Sequence, residues 1–139
     1  MKKTVLSAVA FVLLLGYSAV SQTQARAKHR IVFQVSEPDT AASLILHVNN
    51  TIGALGEDGG TEVEVVFFGL GLGTLAKTNV AYSEQLKQLS DRGVRLLACR
   101  NAMKMRNLTT ADLFPFAGQV DSGVAEIVRR QEAGWSYIH

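Results

Sequence analysis

The residue most able to do chemistry is Cys99, the only cysteine in the chain of 139 residues. A thiolate is a strong nucleophile, and a lone cysteine has no internal disulfide to form. Cys99 ends a predicted strand, Val94 to Cys99, and precedes a predicted short helix from about Asn101 to Arg106. Sites in open α/β sheets gather at the carboxyl ends of strands, and the start of a helix favours an anionic sulfur. Arg100, Lys104 and Arg106 follow closely and add positive charge. Burial as a small apolar core residue is the competing fate of a free cysteine, and position alone weighs the two about equally.

Other groups argue less strongly. Gly69-Leu70-Gly71-Leu72-Gly73 follows a predicted strand, where successive amides can cradle an anion. The run lacks the Lys-Ser/Thr of a phosphate loop and the dinucleotide spacing, so a tight turn is the stronger expectation. His29, His47 and His139 show no metal-ligand spacing, and no metal or other cofactor is expected. No serine stands in a Gly-x-Ser-x-Gly turn, and a hydrolase reading has little support. Asn49-Asn50-Thr51 and Asn107-Leu108-Thr109 match glycosylation acceptors, a short pattern that also arises by chance. Trp135 and Tyr137 fit a core edge or a subunit contact, and Arg129-Arg130 reads as the solvated face of a helix.

The elements that must position Cys99 follow from hydrophobic periodicity. Arg30 to Val35 is a β-branched and aromatic first strand. Ser36-Glu37-Pro38-Asp39 ends it and starts a helix, with Ala41, Leu44, Ile45, Val48, Ile52 and Leu55 in one apolar stripe. Gly56 to Gly60 is a turn, and Thr61 to Phe68 is a second strand whose later half is apolar on both faces. A helix from Ala81 to Asp91 turns Leu86 and Leu89 inward and ends at Arg92-Gly93. After Cys99 come a brief turn at Thr109 to Asp112 and a weak strand at Gln119-Val120. A helix from about Ser122 to Ala133 and a short last strand at Tyr137-Ile138 complete the series. Alternating strands and helices predict one α/β domain with a largely parallel sheet covered on both faces.

The first 27 residues read differently. Lys2-Lys3, the apolar run Ala8 to Leu15 and Ala25-Arg26-Ala27 have the order of a secretory signal. The run is shorter than the roughly 20 residues of a membrane span, so an anchor retained after cleavage is not expected. Cleavage after Ala27 is preferred to cleavage after Ser21, and it leaves a domain at residues 28–139 in the periplasm or outside the cell. The chain's formal charge is +2, but residues 28–139 hold 11 Lys+Arg and 12 Asp+Glu. The basicity therefore belongs to the leader, and a nucleic-acid partner is not expected.

Three stretches together carry a likeness. They are Glu62 to Gly69, Gly93 to Asn101 and Ser122 to Ile138, the last reading Gly-Val-x-Glu…Gly-Trp-x-Tyr-Ile. In order and content they resemble the DsrE-like family of sulfur-metabolism proteins over essentially all of residues 28–139. The resemblance implies a three-layer α/β/α sandwich with a mostly parallel sheet of about five strands. It also implies homo-oligomers, often dimers, trimers or hexamers, and a cysteine persulfide at the position of Cys99. Asn101 matches the family's Asn after that cysteine, and Asn50 matches an Asn of the first helix. Two positions depart from the pattern. Phe68-Gly69-Leu70-Gly71 stands where relatives often have His-Gly-Pro-Gly, so proton transfer by that His is absent. Asn101-Ala102 replaces a common Asn-Thr and loses a hydroxyl beside the thiol.

Two functions follow as expectations. In the first, Cys99 attacks a sulfane donor and holds a persulfide for an acceptor, as a sulfur carrier or sulfurtransferase-like protein of the cell envelope. Arg100 or Lys104 would attract an anionic sulfur donor, and Asn101 with the amides near Gly69 and Gly71 would hydrogen-bond it. A partner thiol protein is the other expected contact. In the second, the protein is a non-catalytic oligomer that binds a small ligand between subunits. Phe68 in place of His, and burial of Cys99, are the features that would favour it.

Overall fold

The computed structural model describes residues 29–56 and 60–139. The signal-peptide expectation for residues 1–27, the domain start at Lys28, and Glu57 to Gly59 of the turn lie outside them.

Five strands form one parallel sheet in the order β4-β3-β2-β1-β5: β1 His29–Val35, β2 Thr61–Phe67, β3 Arg95–Cys99, β4 Gly118–Val120 and β5 Ser136–Ile138. The connecting helices are α1 Ala41–Leu55, α2 Ser83–Asp91, α3 Arg100–Met105 and α4 Gly123–Glu132. From β1 to β4 the chain steps in one direction, and α1, α2 and α3 pack on one face. It then returns past the whole sheet to place β5 beside β1. Parallel crossovers are right-handed, so reversing direction moves the connection to the opposite face. That is where α4 lies, and the result is a three-layer α/β/α sandwich.

Strand alternation divides the core between the faces. Ile31, Phe33, Val35, Val63, Val65, Phe67, Leu96 and Ala98 meet α1, α2 and α3 in the larger cluster. Val32 and Val66 meet Ile127 and Trp135 in a smaller one under α4. Val65, Val66 and Phe67 are wholly buried, as expected of a central strand covered on both sides.

The boundaries shift where local capping intervenes. Residues Val80–Tyr82 form a 3-10 turn, with the Ser83 hydroxyl donating to Val80 O, and α2 starts at Ser83. A similar turn, Pro38–Thr40, precedes α1 because proline suits a first helical position. Helix α3 begins directly at Arg100, with Cys99 itself as N-cap.

Candidate functional site

Arg95, Leu97 and Cys99 alternate with Leu96 and Ala98 along β3, so Cys99 points to the α4 face. There α4 begins, held by its N-cap Ser122, whose hydroxyl accepts from Ala125 N at 3.4 Å. The next residue, Gly123, donates its backbone N–H to Cys99 Sγ at 3.2 Å. One of the four amides that every helix leaves unpaired at its start is thereby satisfied by sulfur. Glycine is suited to this point because a Cβ here would lie 3.1 Å from both Phe68 Cδ1 and Val66 Cγ1. Cys99 is 5% exposed. The sulfur is thus a buried acceptor at the carboxyl end of an inner strand, facing the start of a helix.

The other expected site residues distribute unevenly around it. Asn101 is in the first turn of α3 with its side chain exposed, and its N–H donates to Asp121 O at 3.3 Å. Arg100 turns to the β4 edge instead of the thiol, donating to Gln119 Oε1 at 3.2 Å and pairing with Asp121 at 3.0 Å. Its guanidinium is thus engaged by Gln119 and by the exposed Asp121 carboxylate. Lys104 is exposed on α3. Asn50 lies in the later half of α1, which runs back toward the amino ends of the strands. Its neighbour Asn49 accepts from Arg92 at the end of α2. Asn50 therefore lies away from the carboxyl ends of the strands, where Cys99 stands.

The glycine run forms a 3-10 helix, Gly69–Leu75, of two turns. Gly71 N–H donates to Ser36 O at 2.7 Å, so it is not an anion donor, which corrects the expectation for that amide. A Cβ at Gly71 would lie 2.6 Å from Val35 O, so glycine is needed there for close backbone packing. Gly69 takes φ 54°, the left-handed region that turns the chain out of β2. Phe68, where relatives often have His, packs against both hydrophobic clusters and against Gly123.

Three features escaped the sequence reading. The first is a charged cluster under α4. Glu64 on β2 is wholly buried, with Oε2 2.9 Å from Arg95 and 3.0 Å from Arg130. Arg130 also reaches Glu126 at 2.8 Å, and both arginines lie over the Trp135 ring. Arg130 is therefore not part of a solvated face; only Arg129, paired with Glu126 at 2.8 Å, remains mostly exposed. Burial pushes the Glu64 carboxyl above its usual range, against the pull of Arg130 and Arg95. Burial also lifts Glu126, but the hydrogen bond from Arg129 and the charge of Arg130 outweigh it and bring Glu126 below. The alternation of Glu62 and Glu64 with valines in β2 was the available signal.

The second is a cavity of about 150 Å³ at the carboxyl ends of β1 and β5, lined by Gln34, Ser43, His47 and His139 among others. Two histidines 92 positions apart are brought to one cavity by the return of β5 beside β1. Among the described residues no third His, Cys, Asp or Glu joins them in a metal-holding group.

The third is a groove of about 200 Å³ beside α3, lined by Gly69, Leu70, Ala102, Met105 and Arg106. Arg106 Nη1 donates to Leu70 O at 3.0 Å and joins the end of α3 to the glycine run. Gly69 and Ala102 follow the ends of β2 and β3, so the groove lies at the same carboxyl end of the sheet as Cys99, whose sulfur faces α4.

The pattern of residues 29–139 matches the model of the DsrE/DsrF-like family. The chain belongs to the DsrE/DsrF-like family. Among solved structures, this DsrE/DsrF-like domain is similar to protein MTH1491, a protein of unknown function from Methanobacterium thermoautotrophicum. The two share 34% identity at a TM-score of 0.75, over 80% of this chain and 98% of the other. No curated protein matches the chain. The DsrE/DsrF-like assignment and the five-stranded sandwich agree, and the fold places Cys99 at the end of β3.

Proposed function

We propose that this protein is an exported, thiol-based sulfur carrier, sulfurtransferase-like in its chemistry, with Cys99 as the persulfide-bearing residue. The observation that carries the reading is the Gly123 N–H aimed at Cys99 Sγ from the start of α4. A donor in that position suits a sulfur that carries negative charge, as thiolate or as persulfide. Membership of the DsrE/DsrF-like family supports a sulfur-relay role at the level of the family.

In the loading step the Cys99 thiolate attacks the outer sulfur of thiosulfate. A new S–S bond forms, the S–S bond of the donor breaks, and sulfite leaves with its electron pair. In unloading, an acceptor thiolate attacks the outer sulfur and Cys99 leaves as thiolate. Neither exchange needs an external oxidant. Asn101, exposed in the first turn of α3, is the side chain proposed to bind the donor, with Lys104 as a nearby cation. The working form is a homo-oligomer of two, three or six chains in the periplasm or outside the cell.

Mass spectrometry of the purified protein after exposure to thiosulfate or polysulfide tests the reading. One added sulfur atom at Cys99, removed by dithiothreitol and absent from Cys99→Ser, is the expected result. A thiol that stays unmodified across neutral and alkaline pH would overturn it. Two observations favour a second reading, a non-catalytic oligomer that binds a small ligand. Cys99 is almost fully buried, and Phe68 removes the proton-transfer group that relatives often carry. That reading requires an inert thiol together with saturable binding of a small ligand.

A further inference from the structure

The groove beside α3 combines exposed apolar side chains with uncompensated positive charge. Leu70 is 61% and Met105 86% exposed, and both line the groove of about 200 Å³. Arg106 lines the groove, and the segments its lining residues belong to, 69–79 and 100–108, also contain Lys77, Arg100 and Lys104 and no Asp or Glu. Asp121 pairs with Arg100, and the Lys77 ammonium donates to Ala111 O beside Asp112. Among the described residues no carboxylate lies within ion-pair distance of Lys104 or Arg106. A near-neutral domain has therefore concentrated apolar surface and cations at one place, at the same carboxyl end of the sheet as its only cysteine.

We propose that this groove docks an acidic, apolar segment of another protein, the thiol acceptor for sulfur held on Cys99. The occupant is argued from charge. Two-fold pairing of this face with a second copy would set Lys104 and Arg106 against themselves, and like charges across an interface are repulsive. A segment with Leu-like side chains and carboxylates meets both demands of the groove. The inference rests on the sulfur-carrier reading, because it names the class of partner to which the persulfide passes. In that step the partner's thiolate attacks the outer persulfide sulfur, and the electron pair of the broken S–S bond returns to Cys99 Sγ.

The test uses a fluorescein-labelled amphipathic peptide of Glu and Leu with one cysteine, its Lys-for-Glu counterpart, and 2-mercaptoethanol as a small neutral thiol. Fluorescence anisotropy with the purified protein is expected to give at least about tenfold tighter binding of the acidic peptide, weakening as salt rises. Met105→Glu and Leu70→Glu are each expected to weaken it by about tenfold, whereas Val128→Glu on α4 leaves it unchanged. With persulfide-loaded protein, Met105→Glu slows transfer to the acidic peptide and not to 2-mercaptoethanol. Equal binding of the two peptides, or no effect of Met105→Glu and Leu70→Glu, overturns the proposal. So does a fall in oligomer size on Met105→Glu with peptide binding intact, which would assign the groove to a second copy. If Cys99 never loads, the sulfur-carrier reading and this acceptor role fail together. If it loads and Met105→Glu alters neither binding nor transfer, the docking proposal fails alone.

Discussion

At the scale of single residues, the contrast between Cys99 and Gly71 is instructive. Both stand at the carboxyl end of the sheet, and both were candidates on sequence grounds. Cys99 meets a donor it has no local reason to meet, since Gly123 is 24 positions away. Gly71, expected to offer its amide to a ligand, is instead engaged with Ser36 and pressed against Val35. Gly71→Ala is accordingly expected to destabilise the fold by about 1–3 kcal/mol, because backbone atoms of β1 must shift to admit a methyl group. Urea denaturation measures this, and a change within error of zero would show that the 3-10 helix simply moves away. Gly123→Ala should cost less, since the atoms it meets belong to the side chains of Phe68 and Val66.

Among the elements, α4 links the candidate thiol to the buried ionic cluster. Its first residue contacts the Cys99 sulfur, and its last turn carries Arg130 to the buried Glu64. The folded protein holds Glu64 above its ordinary value through burial, so the folded state favours the protonated carboxyl. Ionisation then costs stability as pH rises through the unfolded value, near 4.5, toward the raised one. Glu126, held below its usual value, acts in the opposite sense and loses its contribution as pH falls. Replacing Glu64 by Gln removes the first effect, while the Gln amide can still donate the hydrogen bond that helps hold Glu126 low. The stability of Glu64→Gln relative to the parent is therefore expected to improve between pH 4 and pH 7 in urea titrations. A difference that is flat or reversed over that window would mean that Arg95 and Arg130 outweigh burial. The sequence pattern of β2 predicted two-sided burial only for its later half. Alternation cannot reveal that a second helix, 60 positions on, covers Glu64.

For the whole molecule, the sheet order explains why the sites are where they are. Reversal of the chain after β4 brings α4 across to the second face and β5 to β1. It creates both the Gly123–Cys99 contact and the cavity shared by His47 and His139. The cationic start, the apolar run and the small-residue motif ending at Ala27 lead to an expectation at this scale. N-terminal sequencing of the protein recovered from an exporting cell should begin at Lys28 and show no residues of the apolar run. Recovery of an intact Met1 in the membrane fraction would point to an uncleaved anchor.

Local patterns were enough to specify the order of strands and helices, a mostly parallel sheet and the position of Cys99 at the end of β3. Each of these depends on neighbours within a few residues: alternation along a strand, an apolar stripe along a helix, glycine at a turn. The surroundings of those residues depended on contacts between distant segments. Arg100 pairs with Asp121, Arg130 is drawn to Glu64 beneath α4, and Asn50 lies in the half of α1 that leads away from the carboxyl ends of the strands. Side-chain direction follows from local periodicity, but the partner it finds is set by chain connectivity and by the single handedness of parallel crossovers.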